Sequence, residues 1–209
     1  MPRPRAYVLL LDFDGVLRHY DPTVSAAAER RYGLSPGSVL ETALEWNRLL
    51  PAITGRITRA EWLTRVAEAL SDRVGGLPAA RSLMVEWDAY RGAVVPEVLA
   101  FVRSVRRGGI RVVLATNATD DLDLDLAAFG LTGEFDAVAN SSTLGVHKPT
   151  REFFEAACRL VDTAPERCLF VDDDDRNVRG ARAAGLSALR FSGVADLAYV
   201  RAALDEGGS

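Results

Sequence analysis

The sequence predicts an α/β protein with a parallel sheet covered by helices on both faces and an all-helical segment inserted after the first strand. Three observations predict this fold class. From about residue 93 onward, short apolar runs alternate with helical patterns, as expected for parallel strands joined by crossover helices. Another apolar run, residues 7–11, ends before Asp12. Between them, residues 22–92 contain helical patterns without a convincing strand.

The first strand leads directly into charged residues. Residues 7–11 are apolar and are followed by Asp12, Phe13, Asp14 and Gly15. In a parallel sheet the ligand crevice lies beyond the carboxyl ends of the strands, so both carboxylates are expected there. Like charges at this range repel each other unless a cation or a proton separates them. An ordinary Asp-Gly turn after a strand is the alternative interpretation.

The inserted segment contains four helical patterns, which fall at residues 25–32, 36–50, 58–70 and 78–90. Thr58 and Glu61 form a capping-box pattern at the start of the third pattern. Trp62, Met84 and Trp87 lie on the apolar faces of the last two patterns. We therefore expect these three side chains to pack between helices rather than to bind substrate.

Strands and helices alternate after this segment. Thr150 is placed to cap a helix, and residues 120–129 alternate Leu with Asp as in a half-exposed strand, although their place between two strands favours a helix. The predicted strands are 110–115, 137–140, 168–171 and 188–191, and the helices are 97–107, 120–129, 150–160 and 177–184. The predicted fold is a Rossmann-like three-layer core of residues 1–21 and 93–209, with residues 22–92 as an inserted helical domain.

The composition limits the partners and the location. The chain has 209 residues, of which 48% are hydrophobic and 26% charged, as in ordinary globular proteins. Its net charge of −4 offers no basic field for nucleic acid or an anionic membrane, and no apolar run approaches the ~20 residues that span a bilayer. No signal-peptide pattern follows the basic N-terminus, and Cys158 and Cys168 lack a CxxC spacing, so we expect a cytoplasmic protein. These features do not predict the oligomeric state.

Chemically active side chains recur at the predicted carboxyl edge of the sheet. They occupy four positions along the chain: Asp12 with Asp14, Thr116 with Asn117, Lys148, and Asp172 with Asp173. Each has an ordinary explanation, such as a turn, a surface lysine or a helix cap. Together they bring carboxylate, hydroxyl, amide and ammonium groups into one crevice, which indicates a ligand site.

These residue types suit phosphoryl transfer. A carboxylate attacks phosphorus only when the charges of both groups are screened, and a hard divalent cation held by oxygen ligands provides that screening. Asp12 and Asp173, with a main-chain oxygen and waters, are suited to an octahedral Mg²⁺ shell. Lys148 would hold phosphate oxygens, and Asp14 would protonate the leaving oxygen and then activate water.

The ordered motifs resemble those of the haloacid dehalogenase superfamily. The matching segments are Asp12–Leu17, Ala115–Asn117, Lys148–Pro149 and Val171–Asn177. The inserted helices resemble the C1 cap of that superfamily. Residues 141–149, followed by Phe153 and Phe154, are further similar to bacterial sugar-phosphate phosphatases and to the phosphatase domain of soluble epoxide hydrolase.

The resemblance implies roles for single residues. Asp12 is implied as the nucleophile and Asp14 as the general acid and base, with its main-chain oxygen on Mg²⁺. The implied phosphate-binding side chains are Thr116, Asn117 and Lys148. The implied metal ligands are Asp12, Asp14 and Asp173, with Asp172 either a further ligand or directly behind them.

The chain departs from the family pattern at one position and leaves others unassigned. Asn177 stands where many relatives carry a second acid, so it adds no charge and is suited at most to orienting a metal-bound water. Asp174, Asp175 and His147 receive no role from the resemblance. The candidates for distinguishing substrates lie in or near the inserted segment, and the sequence does not rank them: Arg18, His19, Tyr20, Trp46, Asn47 and Arg56.

The predicted activity is that of a Mg²⁺-dependent phosphomonoesterase acting through an aspartyl-phosphate. Its predicted substrate is a small phosphorylated metabolite, with a sugar phosphate as the class-level example. A phosphomutase and a 2-haloacid dehalogenase are alternatives on the same core, although a dehalogenase needs neither Mg²⁺ nor the acid Asp14. A non-catalytic binding module is the alternative outside the enzymes, and the presence of Asp12, Lys148 and Asp173 argues against it.

Overall fold

A five-stranded parallel sheet forms the centre of the molecule. The computed structural model describes residues 6–204, so the basic N-terminal residues 1–5 lie outside the described part. The sheet strands are β1 (Val8–Leu11), β4 (Arg111–Thr116), β5 (Ala137–Asn140), β6 (Cys168–Asp172) and β7 (Ser187–Arg190). Their order is β5-β4-β1-β6-β7. Two short strands, β2 (Arg18–His19) and β3 (Ala93–Val94), form a separate antiparallel pair.

Helices cover both faces of the sheet. They are α6 (Pro96–Arg107), α7 (Leu122–Ala128), α8 (Ser141–Leu144), α9 (Arg151–Arg159), α10 (Asp175–Ala183) and α11 (Leu197–Ala203). Strand β1 alternates between the two faces, because Leu9 and Leu11 join a core with α6, α7 and α11, whereas Val8 and Leu10 join one with α9 and α10. The predicted three-layer, Rossmann-like sheet is confirmed.

Five helices lie between β2 and β3, and we call them the helical block. They are α1 (Pro22–Arg31), α2 (Ser38–Ala43), α3 (Trp46–Ile53), α4 (Arg59–Leu70) and α5 (Leu77–Asp88). The block has its own buried core, which includes Val66, Leu70 and Leu83. The predicted capping box is present, since Thr58 and Glu61 each accept the other's main-chain N–H. Trp62 and Met84 are buried in this core, as expected, and Trp87 packs against it, but both tryptophans also line a cavity, which differs from the expectation of packing alone.

The single helical pattern at residues 36–50 is wrong, because the structure divides it into α2 and α3. Glu45 is extended and begins α3, and its side chain pairs with Arg48 at 2.5 Å. The break exposes carbonyl groups at the end of α2. Trp62 Nε1 donates to the Ala43 carbonyl at 3.1 Å, and Arg48 donates to that of Thr42 at 3.3 Å. Tertiary hydrogen bonds therefore replace those that a continuous helix would have made.

The ambiguous segment 120–129 forms α7, in agreement with the prediction. Leu122 and Leu126, four residues apart, enter the core, whereas Leu124 is exposed. In a regular amphipathic helix the buried position 125 would carry an apolar residue. Asp125 stands there instead, so this segment alternates Leu with Asp as a half-exposed strand does. Thr150 begins α9 with extended backbone, but its hydroxyl donates to the His147 carbonyl and makes no cap bond.

Within residues 6–204, no helix combines the length and the apolar character needed to cross a bilayer. The cytoplasmic location stays a prediction.

Candidate active site

The carboxyl ends of three neighbouring strands bring the predicted residues together. Leu11 of β1 is in register with Leu114 of β4 and Val171 of β6. Asp12 therefore emerges between the ends of these two strands, and its main-chain N–H donates to the Val171 carbonyl at 2.9 Å. Strand parity places Val8, Leu10 and then Asp12 toward the α9 side of the sheet.

Lys148 lies between two buried carboxylates. Its Nζ is 2.7 Å from Asp12 Oδ1 and 2.6 Å from Asp172 Oδ2, and all three side chains are nearly inaccessible. Asn117 holds the main chain of Lys148, because its Oδ1 accepts from the Lys148 N–H at 2.8 Å and its Nδ2 donates to the Lys148 carbonyl at 3.0 Å. We call Asp12, Lys148 and Asp172 the catalytic cluster.

Two carboxylates on one ammonium leave the catalytic cluster with a surplus of negative charge, and the pKa values reflect burial and this pairing. Burial raises the pKa of Asp12 well above its usual range, Lys148 opposes that rise, and the charge of Asp172 adds to it. Burial alone would lower the pKa of Lys148, but the charges of Asp12 and Asp172 raise it overall. Two carboxylates thus share one ammonium group, and an additional cation would stabilise the ionised cluster.

Asp172 uses both of its oxygens inside the protein. Besides Lys148, it accepts hydrogen bonds from the Asp174 N–H at 2.8 Å and from Asn177 Nδ2 at 3.1 Å. Asn177 is therefore engaged with a carboxylate, which differs from the expected contact with a metal-bound water. Asp172 shares its strand face with Phe170, against which the Lys148 ammonium also lies, so the structure places it beside the lysine.

Asp173 points the other way and has a different environment. It is exposed, and none of the described residues pairs with its carboxylate. A Cβ on Gly15 would overlap this carboxylate, so only glycine permits Asp173 to lie over the turn after β1. Burial first and the charge of Asp172 second raise the pKa of Asp173. Ligand oxygens of Asp12, Asp172 and Asp173 lie within 4.8 Å of one another.

The other acids of this segment belong to helix α10. Asp174 caps it by accepting the Arg176 N–H at 2.8 Å, and Asp175 pairs with Arg179 at 2.7 Å. His147 Nδ1 lies 2.8 Å from the Lys148 carbonyl oxygen, and its ring contacts that of Trp46 edge to face. These contacts account for residues to which the sequence assigned no role.

Thr116 ends β4 and is buried, and its hydroxyl makes no hydrogen bond to any of the described residues. Asn117 differs from the expectation, because both ends of its amide hold the Lys148 main chain. Of the three predicted phosphate-binding side chains, Thr116 therefore has a free polar atom, whereas Lys148 is ion-paired and Asn117 is hydrogen-bonded.

Asp14 is turned toward Arg18 on β2. Arg18 Nε donates to Asp14 Oδ1 at 2.5 Å and its Nη2 to Oδ2 at 3.0 Å, so both carboxylate oxygens are occupied. The third guanidinium nitrogen lies 2.5 Å from Asp125 Oδ2. Burial alone would lower the pKa of Arg18, but its hydrogen bond and attraction to Asp14 raise it.

Arg18 is part of a larger junction network between the helical block and the core. Arg91 contacts Asp88, Asp121 and Asp125 at 2.9, 2.8 and 2.7 Å, and Arg59 pairs with Asp88 and Asp121. We use the name junction network for Arg18, Arg59 and Arg91 with Asp14, Asp88, Asp121 and Asp125. The sequence analysis missed it, except for placing Arg18 near the insertion.

A cavity of about 670 Å³ lies between the helical block and the sheet edge. Its lining includes Asp14, residues 18–20 and several residues between Asn117 and Asp125, and the helical block provides most of the remainder. Among the residues that the sequence left unranked, Arg18, His19 and Tyr20 line this cavity, whereas Trp46, Asn47 and Arg56 do not.

Comparison with known proteins agrees with this architecture. A family model described as haloacid dehalogenase-like hydrolase matches residues 8–185. A phosphoserine phosphatase of Thermus thermophilus is 35% identical over 126 residues, which are 58% of this chain and 51% of that protein. An (S)-2-haloacid dehalogenase of Xanthobacter autotrophicus is 26% identical over 86% of this chain and 72% of its own.

The solved structures show the same fold. A haloacid dehalogenase family enzyme of Bacteroides thetaiotaomicron, in complex with magnesium and inorganic phosphate, aligns with a TM-score of 0.71 at 21% identity, covering 88% of this chain and 93% of that chain. The fold and the site define a hydrolase with an aspartate at the end of its first strand. The chain belongs to the haloacid dehalogenase-like hydrolases. It spans about half the length of its Thermus relative.

Proposed function

We propose that the protein is a Mg²⁺-dependent phosphomonoesterase that acts through an aspartyl-phosphate on Asp12. The catalytic cluster carries the proposal, because it combines a fixed carboxylate with a surplus of negative charge. Relatives that hydrolyse phosphate esters, and a fold relative in complex with magnesium and phosphate, support it.

The carboxylates fit a hard divalent cation. Asp173 has an unpaired carboxylate over Gly15, within 4.8 Å of an oxygen of Asp12, and Mg²⁺ prefers such oxygen ligands. We propose Asp12, Asp173 and the main-chain oxygen of Asp14 as the ligands. Asp172, whose oxygens are already hydrogen-bonded, is proposed to position Lys148 instead. When bound, Mg²⁺ would screen the charges of nucleophile and phosphate.

Asp12 is prepared for attack by its contacts. Its Oδ1 accepts from the Phe13 N–H at 2.7 Å and pairs with Lys148, whereas no described residue bonds its Oδ2. In the first step Oδ2 attacks phosphorus, the phosphorus–oxygen ester bond breaks, and Asp14 gives its proton to the leaving alcohol. In the second step water attacks the same phosphorus, Asp14 accepts its proton, the bond between Asp12 Oδ2 and phosphorus breaks, and phosphate is released with the Asp12 carboxylate restored.

Asp14 has to leave Arg18 before the first step. A carboxylate that accepts a guanidinium at both oxygens holds no proton for the leaving alcohol. Arg18 lies on β2, directly before the helical block, and we propose that a rearrangement at this junction releases Asp14. We propose that residues 22–92 form a cap domain over a core of residues 1–21 and 93–209, since the block has its own core and joins the rest through β2 and β3.

The test is hydrolysis of p-nitrophenyl phosphate with and without Mg²⁺ after verified metal removal. We expect turnover only with Mg²⁺, and Asp173→Asn to require a much higher Mg²⁺ concentration. Asp174→Asn is the matched control, because Asn is also a good N-cap and Asp174 pairs with Arg176 outside the site. Full turnover without metal, or identical Mg²⁺ titrations for both variants, would refute the metal assignment.

A 2-haloacid dehalogenase is the second candidate, favoured by the relative from Xanthobacter. That activity displaces halide from carbon and needs no proton donor for the leaving group. Release of chloride from 2-chloropropionate without Mg²⁺, with no phosphatase activity, would establish it in place of the phosphatase.

A further inference from the structure

The cavity beside Asp14 lies where the alcohol part of a phosphate ester has to extend. Asp14 is the proposed donor to the leaving oxygen, so the group attached to that oxygen must start at Asp14. The cavity of about 670 Å³ begins there and continues under the helical block. Its size lies within the range of small-molecule sites and exceeds what a phosphate group alone would occupy.

The wall that faces this space is apolar. Its large side chains come from the helical block: Leu40, Leu44, Leu49, Ile53, Trp62 and Trp87. Leu40 and Leu44 are 49% and 51% exposed, so leucine surface on this wall is in contact with water. A ligand that covers apolar surface gains affinity, whereas hydroxyl groups placed against it lose their hydrogen bonds to water.

The charged residues of the wall are already committed to other parts of the protein. Arg18 and Arg59 belong to the junction network. Both oxygens of Glu29 accept main-chain N–H groups, from Gly37 at 2.6 Å and from Val39 at 2.7 Å. A sugar would need several hydrogen-bonding partners there.

Few polar groups of the wall remain for a ligand. Among the described residues, none hydrogen-bonds the side chains of Ser25, His19 or Tyr20, and the buried Nε1 of Trp87 has no partner either. These four groups are enough to orient one or two polar atoms of a ligand and too few to replace the hydration of a hexose.

We propose that the substrate is a phosphate monoester of a hydrophobic alcohol, whose hydrocarbon part occupies this cavity. The proposal rests on the phosphatase activity proposed above and replaces the sugar phosphate that the sequence suggested as an example. Phosphate would lie at the catalytic cluster, the ester oxygen at Asp14, and the hydrocarbon against the leucines and tryptophans.

A series of n-alkyl phosphates from ethyl to octyl tests the proposal. The leaving alcohols have nearly equal basicity, so changes in kcat/KM report contacts of the chain. Burial of each methylene corresponds to about a fourfold rise in kcat/KM, which should continue until the cavity is filled. Hexyl phosphate should exceed glucose 6-phosphate, which has the same number of carbons and a primary leaving alcohol, by at least about tenfold.

Two variants locate the effect. Leu40→Gln with Leu44→Gln should reduce the ratio of kcat/KM for octyl over ethyl phosphate by about tenfold or more, because both leucines are exposed and the fold should tolerate glutamine. Leu124→Gln is the control, since Leu124 is 72% exposed and does not line the cavity. It should leave that ratio unchanged.

The outcomes that would refute the substrate class differ from the outcome that would refute the phosphatase activity. Turnover of p-nitrophenyl phosphate with no dependence on chain length, or with glucose 6-phosphate equal to hexyl phosphate, would overturn the substrate class and leave the phosphatase standing. An equal loss of the octyl-to-ethyl ratio in the control would also overturn it. No turnover of any ester would overturn both proposals.

Discussion

The molecule contains two clusters of opposite charges that differ in how completely they are paired. In the catalytic cluster two buried carboxylates share Lys148, and the adjacent Asp173 has no partner among the described residues. In the junction network each of the three arginines contacts at least two carboxylates. The first cluster gains from another cation, whereas every carboxylate of the second already contacts at least one arginine.

This difference in pairing distinguishes a cluster suited to binding a ligand from one suited to holding the fold together. Removing one partner of a buried ion pair is strongly destabilising, and charge that is paired in this way has little left for a ligand. Charge that is held in place without enough counter-charge costs stability and is available for binding and catalysis. Asp14 connects the two, because it pairs with Arg18 of the network and stands two residues after Asp12 at the end of β1.

The largest expected effect is that of Asp12→Asn. An amide cannot form the acyl phosphate, so we expect turnover to fall by several orders of magnitude. Lys148 would keep Asp172 as its partner and the repulsion between the two acids would disappear, so stability should be retained or should rise. The two expectations, loss of turnover and retained stability, are tested by measuring phosphate release and urea unfolding on the same preparation. A marked fall in the unfolding midpoint would show that the catalytic cluster is structural and would remove the contrast.

Asp14→Asn should have the next largest effect and would sharpen the role of the shared residue. Loss of the acid and base should cost on the order of 10²–10⁴-fold in rate. In the first step the loss should be much smaller for an aryl phosphate, because p-nitrophenolate leaves without a proton and an alkoxide does not. Single-turnover formation of the phosphoenzyme with both esters measures the difference. Equal losses would mean that Asp14 only supports Arg18 or the metal geometry.

Much of the candidate site was predictable because its residues stand at the ends of strands. Asp12 directly follows β1, Thr116 and Asp172 are the last residues of β4 and β6, and the carboxyl ends of parallel strands meet at one edge. The structure separates Asp172, on the face of Phe170, from Asp173, which the sequence left open. The roles of these residues in catalysis stay predictions.

The junction network was not predictable, because its arginines stand at positions 18, 59 and 91 and pair with acids on α5 and α7. An arginine on a surface helix has the same local pattern whether or not an acid far along the chain faces it. The division of residues 36–50 into α2 and α3 also depends on a distant partner, Trp62, so local spacing could not reveal it.

The smallest expected effect is that of removing the charge of Asp125, which belongs to the junction network. Burial alone would raise the pKa of Asp125, but hydrogen bonds from Arg91 and Arg18 lower it overall. Because the folded pKa lies below the unfolded value of about 3.9, the stabilisation is fully present above that pH and is lost as the pH falls through the folded pKa. Asp125→Asn should therefore lower the free energy of unfolding by about 1–3 kcal/mol at pH 7, and the gap from the unaltered protein should narrow below about pH 4. Asp123→Asn, at an exposed position of the same helix, should change it by no more than about 0.5 kcal/mol. Urea unfolding of the three proteins from pH 7 to pH 3.5 gives the comparison, and a gap for Asp125→Asn that is absent at pH 7 or constant with pH would show that the network does not stabilise the junction through charge.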